Sequence, residues 1–193
     1  MTTEKEVKTK RKMKPGGGKA KGNSFESHVA KTLSTALAPL CFRRAPGSGA
    51  VVGGKNFEKF GAMFGEEAMA LFSADVVPLN EKEVKKKFKF SIECKSYANA
   101  DSFTSLTSST ANIFKWFEES AIDSQKTNKE PILICKWNRT PTYVILEKSE
   151  FHTLVKPLIT ILTYGASPRA LDIFYLNDLL NEKDFWYTDL KHD

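Results

Sequence analysis

The sequence predicts an α/β fold in which a mixed β-sheet is flanked by helices, and three observations carry that prediction. Phe25, Val29, Leu33 and Leu37 recur at helical spacing. Residues 88–95 alternate strictly, with Phe88, Phe90, Ile92 and Cys94 on one side and Lys89, Ser91, Glu93 and Lys95 on the other; that is the period of a strand. Along the chain the runs follow the order helix, strands, helix, strands, helix, which builds layers around one sheet.

A chain of 193 residues is long enough for one well-buried domain. Met1 to Lys21 carries eight basic residues against Glu4 and Glu6, a surplus equal to the net charge of +6 of the whole chain. With Gly16-Gly17-Gly18 and almost no apolar residues, 1–21 reads as a disordered basic tail. Such a tail suits either nonspecific attraction to phosphate or simple solubility. Residues 22–193 read as the folded domain. Cys41, Cys94 and Cys135 do not make a disulfide framework, and the two in apolar runs pack as small hydrophobes, which points to a reducing compartment. The basic start is not followed by a secretory apolar core, and Pro157 to Tyr164 falls short of the ~20 residues that cross a bilayer. The expectation is a soluble, cytoplasmic protein that does not engage a membrane.

Element by element, Asn23 or Ser24 starts the first helix, with Glu26 in its first turn, and Pro39 ends it. Leu40 to Arg44 leads into the turn Ala45-Pro46-Gly47-Ser48-Gly49. Glu66 to Leu71 reads as a short inserted helix. Ala74 to Leu79 reads as a strand, joined through a charged connection, Asn80 to Lys87, to the strand Phe88 to Lys95. A Ser/Thr-rich stretch from Asp101 to Thr110 leads to a helix over Ala111 to Gln125. Strands follow over Ile132 to Lys136 and Thr142 to Leu146, then a short helix at Phe151 to Val155. A strand over Leu171 to Leu176 and a helix over Asn177 to Asn181 close the chain. Trp116, Trp137 and Trp186 are scattered and default to core packing.

The chemistry-bearing pattern is Asp75, Glu93 and Lys95. Period two puts Glu93 and Lys95 on one strand face while Cys94 points into the core. Antiparallel pairing through the 80–87 connection would set Asp75 beside Glu93. Two carboxylates in one site repel unless a cation holds them. Magnesium takes oxygen ligands, one or two of them carboxylates, together with waters and phosphate oxygens. It can lower the pKa of a water and stabilise charge on a phosphate undergoing displacement. Lys95 could orient the water and neutralise charge on phosphorus, and Glu26 could complete the coordination. Taken alone, the same pattern is also that of an ordinary charged strand face.

Four segments in order extend the pattern: Lys21-Gly22-Asn23-Ser24-Phe25-Glu26, Phe42-Arg43-Arg44-Ala45-Pro46-Gly47-Ser48-Gly49, Ser73-Ala74-Asp75-Val76-Val77, and Phe90-Ser91-Ile92-Glu93-Cys94-Lys95-Ser96. Over roughly the first half of the chain they resemble the archaeal-type Holliday junction resolvases of the PD-(D/E)XK nuclease superfamily. That resemblance implies a restriction-endonuclease-like sheet and a magnesium-dependent endodeoxyribonuclease, with manganese as a substitute ion. It implies Glu26 as the helix acid, Asp75 and Glu93 as metal ligands with the backbone carbonyl of Cys94, and Lys95 as the catalytic lysine. Arg44 and Ser48, with Arg43 beside them, would contact DNA phosphate or assist the chemistry. Branched DNA is the implied substrate and a homodimer the implied assembly, since two symmetric nicks need two related sites. Relative to that family, 49–74 is an insertion and 156–193 a C-terminal extension. A glutamine often opens the helix after the catalytic strand in the family, whereas this chain has Ser108-Ser109-Thr110-Ala111-Asn112 there.

Overall fold

The computed structural model describes residues 17–45, 74–85, 87–125, 128–148, 155–163 and 168–188. Helix α1 spans Gly17–Ala36, and β1, Phe42–Arg44, follows it. Strand β2 spans Val76–Pro78, then a short α2, Glu81–Val84, and β3, Lys87–Phe88. Strand β4 is Phe90–Tyr97, followed by α3, Phe103–Thr107, and α4, Asn112–Gln125. Strands β5, Glu130–Trp137, β6, Thr142–Glu147, β7, Ile159–Leu162, and β8, Ala170–Tyr175, complete the main sheet. The described chain closes with α5, Leu176–Leu180, a 3-10 turn, Lys183–Trp186, and β9, Tyr187–Thr188.

Seven strands lie in the order β1-β2-β4-β5-β6-β8-β7, and β3 pairs with β9 in a separate ribbon. Strands β4 and β5 run parallel, while β2 with β4, β5 with β6, and β6 with β8 are antiparallel. The parallel pair requires a crossover, and α4 supplies it. The expected mixed sheet flanked by helices is the observed architecture.

The alternation in β4 divides the core. Phe90, Ile92 and Cys94 join Phe25, Val29, Leu33 and Leu37 of α1 in one buried cluster. Trp116 and Phe117 of α4 pack on Leu133, Cys135 and Ile145 against the other face. Phe174, Leu179, Phe185 and Trp186 belong to the α1-side cluster, so the described part of the 156–193 extension supplies core. Trp186 stacks on Phe88 with ring centroids 6.0 Å apart and donates its indole N–H to the Leu179 carbonyl at 2.9 Å.

Several boundaries differ from the sequence reading. Helix α1 starts at Gly17, before Asn23 and Ser24, so Gly17 to Lys21 of the assigned tail is helical. The side-chain oxygen of Asn23, the expected cap, is taken instead by Arg44. The strand expected over Ala74 to Leu79 is three residues long, although Asp75 just before it still bonds both neighbours, its carbonyl accepting from Ala45 N–H and its N–H donating to the Ile92 carbonyl. The charged connection contains α2, and the Ser/Thr-rich stretch contains α3. The strand expected over Phe88 to Lys95 breaks at Lys89: Phe88 belongs to β3, which pairs with β9, and β4 runs from Phe90 to Tyr97. Strands β1, β7 and β9 are strands beyond those expected. The short helix at Glu66 to Leu71 lies outside the described residues, as do residues 151–154 of the one expected at Phe151 to Val155.

Candidate active site

Strand pairing assembles the predicted trio. Val76 pairs with Ile92 in the antiparallel β2–β4 contact, so the next position out sets Asp75 opposite Glu93. The backbone locks this: Asp75 N–H donates to the Ile92 carbonyl at 2.8 Å, and Cys94 N–H donates to Asp75 Oδ2 at 2.8 Å. Asp75 is buried at 9% exposure with one carboxylate oxygen fixed by the neighbouring strand. Two residues along β4 from Glu93, Lys95 places Nζ 2.6 Å from Glu93 Oε1.

The electrostatics are those of a crowded acid site. Burial, then the Asp75 charge, pushes the Glu93 carboxyl up to about 7, against the opposing pull of Lys95. Asp123 of α4 adds a further push in the same direction. Burial pulls the Lys95 ammonium down, but Glu93 and Asp75 outweigh it and leave the group above its ordinary value. Cys94 is buried, and desolvation followed by Asp75, Glu93 and Glu26 drives its thiol well up. Its sulfur is therefore a packed neutral thiol rather than a thiolate ligand.

Glu26 lies elsewhere than beside Asp75 and Glu93. Arg44 Nε donates to Glu26 Oε2, and Arg44 Nη2 donates to Asn23 Oδ1 at 2.9 Å. The side chains of α1 and β1 thus hold a cation at the site's flank. In β1, Phe42 packs with α1 and Arg43 is exposed. By alternation Arg43 points to the opposite side of the sheet, the side that carries Glu93. Ser48 lies outside the described residues. A separate cleft of about 880 Å³, lined by Lys87, Lys89, Lys129 and Arg169 among others, contains none of the expected site residues.

Among the described residues no group of three or more His, Cys, Asp or Glu side chains is spaced to hold a metal ion. Asp75 and Glu93 nevertheless suit magnesium, which needs only one or two carboxylates beside waters and substrate phosphate. They are oxygen donors whose mutual repulsion in a buried place is a cost that a cation would relieve. Glu26, Asp75 and Glu93 do not form such a group of three, and Glu26 is paired with Arg44.

Asn23, Glu119 and Asp123 were absent from the sequence reading of the site. Glu119 raises Lys95 and Asp123 raises Glu93 from the flank of α4. The helical stripe Ile113, Trp116, Phe117, Ser120, Ala121 and Ser124 was the signal for which side of α4 meets the sheet. It did not reveal which strand lay beneath.

A family model described as "Phage putative PDDEXK endonuclease" matches residues 17–171, from the first residue of α1 into β8. No curated protein and no solved structure matches the chain. The family match spans most of the sequence and contains Asp75, Glu93 and Lys95, so this chain belongs to that PDDEXK endonuclease family and is a nuclease of the PD-(D/E)XK superfamily.

Proposed function

We propose that the chain hydrolyses phosphodiester bonds of branched DNA with magnesium, cutting four-way junctions by paired nicks as a homodimer. The observation that carries the chemistry is the juxtaposition of Asp75, Glu93 and Lys95 across β2 and β4. Magnesium at Asp75 and Glu93, with the Cys94 carbonyl as a further donor, would supply Lewis acidity toward phosphate and lower the pKa of water. Asp75 is held by the Cys94 amide, so its second oxygen is presented in a fixed direction. Lys95 presents ammonium donors beside Glu93, where charge builds on the phosphoryl oxygens during in-line attack. A water oxygen forms the new bond to phosphorus and one ester P–O bond breaks, leaving a phosphate end and a hydroxyl end. Arg44, oriented by Glu26 and Asn23, binds a neighbouring phosphate. Arg43 of β1 contacts the DNA backbone, and the resemblance gives Ser48 the same role.

Junction selectivity rests on the resemblance of the Phe42 to Gly49 and Lys21 to Glu26 segments to the resolvases. Selectivity of this kind reads branch shape and deformability more than base edges. The test incubates purified protein with an immobile four-way junction and with a linear duplex of matched sequence, each with magnesium or with chelator. Paired nicks near the branch point, present only with metal, are the expected result. Equal cutting of the duplex would replace the substrate with general DNA and keep the chemistry; no cutting of either would remove the enzymatic reading.

A further inference from the structure

We propose that Tyr97, Trp137, Tyr143 and Tyr175 form an aromatic shelf on which unpaired bases of the DNA strand stack while it is cut. The proposal rests on the nuclease reading above and adds the kind of DNA segment the site accepts.

The shelf follows from register. Tyr97 pairs with Trp137 across β4 and β5, Tyr143 sits opposite Cys135 on β6, and Tyr143 pairs with Tyr175 across β6 and β8. Alternation puts all four side chains on one face, the face that carries Glu93 and Lys95. Tyr97 lies two residues beyond Lys95, ~7 Å along the strand. The row crosses four adjacent strands, on the order of 14 Å at ordinary strand spacing. That is roughly the length of four stacked nucleotides at ~3.4 Å each.

The rings are both fixed and open. Tyr97 stacks on Trp116 with centroids 4.5 Å apart and an interplanar angle of 23°, yet it remains 49% exposed. Trp137 and Tyr143 lie 5.7 Å apart, and Tyr143 and Tyr175 5.6 Å apart. Each of these three is only half-buried. Aromatic residues on the opposite face, such as Phe88, Phe90, Phe174 and Trp186, are sealed in the core. Cross-strand packing explains why neighbouring rings touch, but it does not require that their outer surfaces stay in water.

Charge beside the row matches a nucleic-acid backbone. The turn directly after Trp137 contains exposed Arg139, and Lys21 reaches it by donating to Asn138 Oδ1 at 2.9 Å. A π-surface bordered by Lys21, Lys95 and Arg139 suits unstacked bases with their phosphates, since stacking accepts every base. A duplex with its bases paired offers no such faces.

The test pairs protein variants with base removal in the substrate. Full-length protein, magnesium and a four-way junction carrying a short unpaired segment at its branch point are used, with abasic nucleotides replacing the unpaired bases one at a time. Removing a base that stacks should lower kcat/KM of the wild type by about 5- to 100-fold. Tyr97→Leu should lower it similarly on the intact substrate, and base removal should then cost little more. Tyr97→Phe should behave as the wild type. If Tyr97→Leu fails to fold by thermal melting, Tyr143→Leu gives the same cycle further along the row. Equal losses from base removal in wild type and the leucine variant, or no loss in either, would overturn the shelf alone. A wild type that cuts no DNA would overturn the nuclease reading and the shelf with it.

Discussion

Glu93 is asked to be buried, to face Asp75 and to bear a negative charge, and these demands conflict. Its carboxyl is raised to about 7 from 4.5, chiefly by desolvation and next by Asp75. The sign of the consequence is fixed by linkage. Between those two values the folded protein holds a proton that the unfolded chain has released, so stability falls as pH rises through that window. Above about 7 the loss is complete. In chelator, Glu93→Gln should therefore remove this decline and be more stable than wild type at pH 8, by at most about 3 kcal/mol. Urea denaturation at pH 5 and pH 8 measures it; an identical pH dependence in both proteins would contradict the assignment. The trio itself was legible in the sequence, because period two fixes the facing of Glu93 and Lys95 and a short connection makes the antiparallel partner accessible. Glu26 was legible as an acid of the first helix, but not its engagement by Arg44, which depends on how α1 lies over β1. Asp123 and Tyr97 were hidden for a related reason: spacing names a helix or strand face, but not the element across from it.

Strand β4 and helix α4 form the working element, since the strand carries the charged residues and the helix closes the crossover to β5. Asp101 ties the two together from the intervening stretch. Its Oδ1 accepts from Asn112 N–H at 3.1 Å and from Asn112 Nδ2 at 2.9 Å, and its Oδ2 accepts from Ile113 N–H at 3.3 Å. These are the free amides of a helix start, served by a carboxylate that also suits the helix dipole. Asp101→Ala should cost about 1 kcal/mol, as loss of a helix cap does. Chemical denaturation measures that cost, and an unchanged midpoint would show that the contact contributes nothing. No local motif reveals such a cap, because the residue stands eleven positions before its helix. Strand β4 was legible from alternation, and β5 as a short apolar run buried on both faces. Strands β1 and β9 have three and two residues, too few to show a period, and Phe88 keeps the alternation of β4 although it belongs to β3, so the break at Lys89 leaves no mark in the pattern. Strand β7 reads Ile-Thr-Ile-Leu at the sheet edge, and its mixture of apolar positions gave no alternation to read.

At the scale of the molecule, the sheet separates an α1 face of sealed packing from an α4 face where the site and the aromatic row lie. The last described elements return to the α1 face, where Phe185 and Trp186 complete the cluster around Phe88 and Phe90. Fold class was legible because helix and strand periods alternate along the chain; the placement of the C-terminal part was not, since it packs on strands about one hundred residues earlier. Among the described residues no helix is long and apolar enough to cross a membrane. The family match over residues 17–171 contains the carboxylate pair and lysine that lie across β2 and β4. The most direct measurement compares magnesium-dependent DNA cleavage by wild type, Asp75→Asn, Glu93→Gln and Lys95→Ala, with folding of each checked by thermal melting. The wild type should cut, and each folded variant should lose about 100-fold or more, the scale of removing an electrostatic group from a reacting centre. Cleavage at wild-type rates by folded Asp75→Asn or Glu93→Gln would place the chemistry elsewhere on the molecule.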